Sequence, residues 1–211
     1  YLGPSNKLDE RHIKKINLLK TKKKYKIIYK NINTEAAKQL ASNKVLGRFC
    51  GKAEFGARSL GNRSILASPL NNSIKIKINE NVKNRDFWMP FAASIPEKNA
   101  KKYFYIKSQI ENYNYMTNCL NTTKLGKKKL KAALHPYDQT CRPHIISKNQ
   151  NKDYEDLINK FGNITGAYAL LNTSFNLHGY PIVNSPDQAI NILEKSNLDG
   201  LLFEKLLILK N

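Results

Sequence analysis

The sequence predicts an α/β (α+β) fold, a mixed and twisted sheet with flanking helices. Three observations point there. Short apolar runs of strand length recur at Val45 to Phe49, Ser64 to Ala67, Phe91 to Ile95, Ala167 to Leu171, Leu201 to Phe203 and Leu206 to Leu209. Other stretches return their apolar residues at helical spacing, as Ile74, Ile78 and Val82 do, and again Tyr154, Leu157, Ile158 and Phe161. Strands and helices are interspersed without the regular βαβ repeat that an all-parallel sheet needs, and no internal repeat is visible. With 211 residues, 41% of them hydrophobic, the chain is long enough to bury a sizeable core.

Taken in order, Tyr1 to Ser5 is turn chemistry. Residues 7 to 30 are lysine-rich, with Ile13, Ile16 and Leu19 at helical spacing, and predict a peripheral helix followed by a strand at Lys26 to Tyr29. Thr34 is placed to cap a short helix through Gln39, Leu40 and Ala41. Residues 1–44 are thus expected to be an N-terminal extension of basic helix and strand packed on the domain, with residues 45–211 forming the domain proper. After Pro69, Asn72 or Ser73 is expected to cap the helix of Ile74, Ile78 and Val82, which stops before Pro90. Pro96 opens a short helix to Tyr105. Tyr113 to Leu120 alternates like a strand, and the lysines of 127 to 131 predict a solvated turn. Gly162 is the expected stop of the helix that starts near Asp153. Ser185-Pro186-Asp187 reads as the cap and first turn of a last helix carrying Ala189, Ile190 and Leu193.

Lysine and arginine number 36 against 16 acids, a formal net charge of +20, so the partners should be anionic: nucleic acid, nucleotide or phosphate substrates, or an acidic domain. The charge is spread, with ten basic and two acidic residues in 1–30 and five lysines and no acid in 124–131. A bias toward Lys, Asn and Ile throughout the sequence is an equally ordinary source of it. Cys50, Cys119 and Cys141 are odd in number, far apart and without a C-x-x-C pair, which predicts a reducing compartment and no zinc knuckle. No apolar run reaches the ~18 to 20 residues of a membrane helix and no signal-peptide pattern follows Tyr1, so a soluble, cytoplasmic protein without membrane partner is expected. Beginning at Tyr1, the chain is expected to be a processed product or a piece of a longer polypeptide.

The chemistry concentrates in the run from Gly47 to Leu66. Gly47, Gly51, Gly56 and Gly61 let backbone amides approach a ligand, and Arg48, Lys52, Arg58 and Arg63 suit phosphate or carboxylate. The same residues also fit a glycine-punctuated loop whose arginines pair with acids. Other segments offer similar groups: Lys83 and Arg85 before Pro90-Phe91, Arg142 after Asp138 to Cys141, and Ser174 with Asn176 leaving an apolar strand. Each has an ordinary alternative, a solvated helix end or an Asx or Ser turn. His135 and His178 fit acid–base work or hydrogen bonding at the rim of a core.

Glu54 to Leu66 resembles the signature E-F-G-P-R-A-L-G-N-R-S-I-L of the carboxy-terminal domain of NodU/CmcH-type carbamoyltransferases. The likeness continues in order: Ile78 to Arg85 is similar to I-N-E-x-V-K-x-R, Pro90 to Ser94 to P-F-A-P-S, His135 to Pro143 to H-x-x-D-G-T-x-R-P, and Leu170 to Val183 to L-L-N-T-S-F-N-x-x-G-E-P-I-V. The Lys-x-Arg, Thr-x-Arg-Pro and Ser-x-Asn elements also resemble YrdC-like threonylcarbamoyl-adenylate synthases. The resemblance implies a YrdC-like domain that binds ATP, with Mg, and carbamoyl phosphate, and makes a carbamoyl-adenylate. An amino-terminal domain of the sugar-kinase and actin-like superfamily then passes the carbamoyl group to an acceptor hydroxyl. That domain would precede Tyr1 and holds the metal, so no metal ligand is assigned here.

On this resemblance Lys83 and Arg142 are expected to hold phosphate or carbamoyl oxygens as catalytic groups, and Ser174 and Asn176 to orient the ligand. Arg58, Arg63, Arg85, His135 and Thr140 are further candidate contacts, and Glu54 is expected to pair with an arginine. Met89 stands where the family has arginine, and Ala57, Ala93, Gln139 and Tyr180 replace proline, proline, glycine and glutamate. The Met89 exchange removes a cation from the expected phosphate site. Competing classes are a basic nucleic-acid-binding module, for which no aromatic, zinc or helix-turn-helix signature is present, and a degenerate domain that docks its amino-terminal partner.

Overall fold

The computed structural model describes residues 3–21, 24–79 and 90–211. Among these residues eight strands form one mixed sheet: β1 (Tyr25–Ile28), β2 (Leu46–Phe49), β3 (Arg63–Ala67), β4 (Ala92–Pro96), β5 (Pro143–Ile146), β6 (Leu170–Ser174), β7 (Gly200–Phe203) and β8 (Leu207–Lys210). Their order is β1-β8-β7-β2-β3-β6-β4-β5. The β2/β7 and β4/β5 pairs are parallel and the other five antiparallel.

Side chains alternate across the pleat, so each strand feeds two apolar layers. Leu46, Leu66, Leu170 and Leu202 pack under two helices, α2 (Ile32–Ala41) and α6 (Lys152–Thr165), against Ala37, Leu40, Leu157 and Phe161. On the other face Phe49, Ile65, Ala93, Leu171 and Leu201 meet Ile16 and Leu19 of α1 (Glu10–Thr21), Ile74 and Ile78 of α3 (Ser73–Ile78), and Ile190 and Leu193 of α7 (Pro186–Lys195). Within the first 44 residues β1 is an edge strand of the sheet, paired to β8, and α2 covers the sheet beside α6. Two shorter helices complete the set, α4 (Glu97–Tyr103) and α5 (Lys124–Lys129).

Several local expectations change. Thr34 lies inside α2, whose N-cap is Asn31 in the left-handed region at φ 52. The lysines of 127 to 131 are mostly helical, because Thr123 Oγ1 accepts from the Gly126 amide at 3.0 Å and starts α5. Gly162 does not stop α6. A Cβ there would sit 2.3 Å from the Tyr168 ring, so the glycine serves packing, and Gly166 at φ 69 ends the helix. Tyr113 to Leu120 is not a strand but a 3₁₀ turn (Ile110–Tyr113) and a loop, with only Leu120 bridging to Cys141. There Thr117 and Asn118 side chains donate to the Asn112 carbonyl and draw the backbone away from a ladder. The helix at Asn72 starts without a side-chain cap, and Val82 lies outside the described residues. The Ser185 cap is present as a full capping box with Gln188, Pro186 following in the first turn.

Candidate functional site

Between β2 and β3 the Gly/Arg run forms a loop tied down from inside. Glu54 Oε1 accepts from the backbone amides of Leu60, Asn62 and Arg63 at 2.7, 2.7 and 3.2 Å. It therefore organises loop amides, although its charge still supports Arg63 at longer range. Arg63, 1% exposed, donates to the carbonyls of Cys50, Asn62 and Gly51 and lies 3.7 Å over the Phe49 ring. Arg48, equally buried, donates to Gly61 O at 2.6 Å and Asn62 Oδ1 at 2.9 Å, pairs with Asp153, and stands over Tyr154. Both guanidiniums thus engage their terminal nitrogens beneath the loop, each Nε being left without a partner among the described residues. Arg63 is placed as a scaffold for the site, not on its surface.

The loop's far side, Ala57 to Ser59, closes over the sheet where β6 ends and β4 and β5 begin. A hollow of about 70 Å³ opens there, lined by Arg58, Ser59, Phe91, Ala92, Met116, Arg142 and Asn172 to Ser174 among others. That is room for a few waters or one small polyatomic anion. The register explains the convergence. Asn172 lies opposite Ala92 in the β6/β4 ladder, and Arg142 directly precedes Pro143, which pairs with Ala93.

The electrostatics of this hollow are one-sided. Burial lowers the Arg142 pKa and the neighbouring Arg58 charge lowers it further, while no carboxylate among the described residues counters either. Its Nε is buried without a hydrogen-bond partner among the described residues, as are Ser59 Oγ and Asn172 Oδ1. Buried polar atoms are normally satisfied, so three open ones around a single cationic hollow suit a ligand that is anionic and can also hydrogen-bond.

Of the residues singled out in the sequence, Arg58, Arg142 and Ser174 meet here. Asn176 is held behind Ser174: the serine hydroxyl donates to its Oδ1 at 2.7 Å, and its amide donates to Tyr180 O at 2.6 Å. His135 and Thr140 form a closed turn. The His135 amide donates to Thr140 O, and both the Thr140 amide and hydroxyl donate to Asp138 Oδ1 at 2.8 Å. His135 faces a separate hollow of about 400 Å³ with Lys75, Lys127 and Lys131. Gln139, where the family pattern has glycine, keeps a glycine-like φ of 58. Lys83, Arg85 and Met89 lie outside the described residues.

Reading the sequence missed Ser59, Asn172 and the layer below them. Asn172 Nδ2 donates to Ser59 O at 3.1 Å and to Ser94 Oγ at 2.9 Å, and Ser94 Oγ lies 2.9 Å from His144 Nδ1. Ser94 and His144 are fully buried. Burial pushes the His144 pKa down from 6.5 to about 3, so its imidazole is neutral. The available signal was a polar residue inside an apolar strand run, which occurs at Ser94, His144 and Asn172.

The comparisons with known proteins bear on the family and the fold. Residues 37–210 match the family described as carbamoyltransferase C-terminus, and the chain belongs to that family. Among its relatives, Nodulation protein NolNO of Sinorhizobium fredii is 38% identical over 180 residues, which is 85% of this chain and 26% of that protein. MJ1058 of Methanocaldococcus jannaschii, described as uncharacterized, is 36% identical over 212 residues, 99% of this chain and 34% of its own length. The chain thus spans about a third or less of the relatives it matches. The fold is also that of HypF, solved in a phosphate- and nucleotide-bound form, with a TM-score of 0.53 and 14% identity over 85% of this chain and 24% of HypF. Among the described residues no helix is long and apolar enough to cross a membrane.

Proposed function

We propose that this chain is the adenylate-forming part of an O-carbamoyltransferase, binding carbamoyl phosphate and ATP and producing a carbamoyl-adenylate. With one water consumed, the products balance as carbamoyl-adenylate, phosphate and pyrophosphate. A preceding sugar-kinase and actin-like domain would hand the carbamoyl group to an acceptor hydroxyl.

The observation that carries this reading is the hollow, without a carboxylate among the described residues that line it, that joins Arg58, Arg142 and Ser174 to three buried polar atoms without a described partner. Its size suits the acyl phosphate, so the larger nucleotide must extend from its mouth. Arg142 would neutralise phosphoryl oxygens as charge develops on them, where a preorganised donor in a dry site is most effective. Lys83, from the Lys-x-Arg segment, is the second cation proposed for this task, and Arg85 a third. Nucleotide and phosphate bound to HypF, a protein of the same fold, support the pairing of ligands.

The test is release of pyrophosphate from ATP by the full-length protein. It should require carbamoyl phosphate and fall at least about a hundredfold in Arg142→Ala. Release that is independent of carbamoyl phosphate, or unchanged by that substitution, contradicts the proposal.

One observation favours a second reading, a nucleic-acid module: the larger hollow lined by Lys75, Lys127, Lys131 and His135, with burial lowering the Lys75 pKa. Polyanion binding there would weaken steeply with salt, whereas a nucleotide site would saturate at one equivalent and prefer ATP to GTP.

A further inference from the structure

We infer that Asn172 Oδ1 is the acceptor for the carbamoyl N–H₂, so that the hollow recognises a primary carbamoyl group and not only the phosphate that carries it. This rests on the proposed function above and adds to it the group that tells carbamoyl phosphate from other acyl phosphates.

The orientation of the Asn172 amide follows from its neighbours. Ser59 O, 3.1 Å away, is a backbone carbonyl and can only accept, so the atom facing it must be Nδ2. The second Nδ2 hydrogen goes to Ser94 Oγ at 2.9 Å. Having accepted there, the serine hydroxyl is free to donate its own hydrogen to His144 Nδ1, 2.9 Å away. That requires Nδ1 to be bare, as it is in a neutral imidazole with its hydrogen on Nε2; burial keeps the ring neutral, which permits this tautomer. The chain of donors runs one way, from Asn172 through Ser94 to His144. Both Nδ2 hydrogens are spent inside the protein, and Oδ1 is left over.

Oδ1 belongs to a side chain 1% exposed that lines the hollow, and it has no partner among the described residues. A buried carbonyl oxygen left open costs stability, and only a hydrogen-bond donor relieves it. The rest of the hollow is cationic at Arg58 and Arg142. A complementary ligand is therefore anionic at one end and a hydrogen-bond donor at the other. Carbamoyl phosphate has that pattern. Acetyl phosphate, of nearly equal size, presents a methyl group where the amide should be, and inorganic phosphate has no acyl group to reach that position. A site built to hydrogen-bond an N–H rejects the analogue that lacks it, because its own polar atom is then stranded. Ser94 and His144 touch no ligand in this arrangement and act as positioning residues.

The experiment is calorimetric titration of the chain with carbamoyl phosphate, acetyl phosphate and inorganic phosphate, in the parent and in Ser94→Ala. The parent should bind carbamoyl phosphate at least about tenfold more tightly than acetyl phosphate. In Ser94→Ala, which removes one of the two acceptors that hold the amide and leaves Ser59 O, that preference should shrink while acetyl phosphate affinity holds; a preference unchanged from the parent would overturn the positioning role of Ser94. Equal affinity of the parent for the two acyl phosphates overturns the role of Oδ1 and leaves the phosphate site standing. No binding of any of the three overturns the site reading as well. The parent comparison needs no variant, so poor folding of Ser94→Ala does not remove the test.

Discussion

Arg142 and His144 lie two residues apart and illustrate opposite uses of burial. Arg142 lies in the lining of the hollow, its pKa lowered by burial and by the Arg58 charge, without a carboxylate among the described residues to counter them. His144 is held neutral under the sheet, and that has a consequence for stability. Its folded pKa of about 3 lies below its ordinary value of 6.5, so the unfolded chain takes up the proton first as pH falls. The stabilisation is complete above pH 6.5 and is lost progressively as pH drops toward 3. From pH 7 to 5 this group alone should cost about 2 kcal/mol of folding stability. His144→Gln, whatever its stability at pH 7, should lose correspondingly less over the same interval in urea titrations. Equal losses in the two proteins would contradict a neutral buried imidazole. None of this was visible in the sequence, where His144 follows Arg142-Pro143 and looks like any polar residue near a turn.

Among the elements, the loop between β2 and β3 depends on backbone geometry as much as on its charges. Gly61, at φ 108, has a backbone that side-chain-bearing residues rarely adopt, and a Cβ there would lie 2.3 Å from the buried Tyr154 ring. Gly61→Ala should destabilise the fold by about 2 to 4 kcal/mol, combining backbone strain with overpacking. Gly56→Ala shares the strain at φ 104 but meets nothing within 4 Å, so it should cost about 1 to 3 kcal/mol and less than its neighbour. Denaturant unfolding of both variants checks the order; a reversed order would mean that Tyr154 does not brace the loop.

Elements with strong local signals were legible: β2, β3, β7 and β8 from their apolar runs, and α7 from Ser185-Pro186. Those fixed by distant partners were not. Nothing near Pro143 announces an edge strand, since β5 exists because β4 offers it a parallel ladder. Arg48 and Arg63 look like ligand groups in a Gly/Arg run, and only the fold reveals that their terminal nitrogens go to the loop's own carbonyls, to Asn62 and, for Arg48, to Asp153 of α6. The three arginines of the run therefore sort differently: Arg58 lines the hollow, while the other two support it.

At the scale of the molecule, the sheet brings residues from four distant segments to one end, Arg58 and Ser59 from the loop, Ala92 from β4, Arg142 before β5, and Asn172 to Ser174 from β6. The net charge of +20 raises the local concentration of any anion, but it does not by itself distinguish a nucleotide from a nucleic acid. Saturation and stoichiometry make that distinction. The most direct measurement is calorimetric titration of the chain with carbamoyl phosphate in the presence of ATP, repeated with Arg142→Ala and Ser174→Ala. The hollow described above requires one equivalent bound, with affinity reduced at least about tenfold in Arg142→Ala and clearly in Ser174→Ala. Binding that is absent, does not saturate, or is equally tight in both variants would contradict the site.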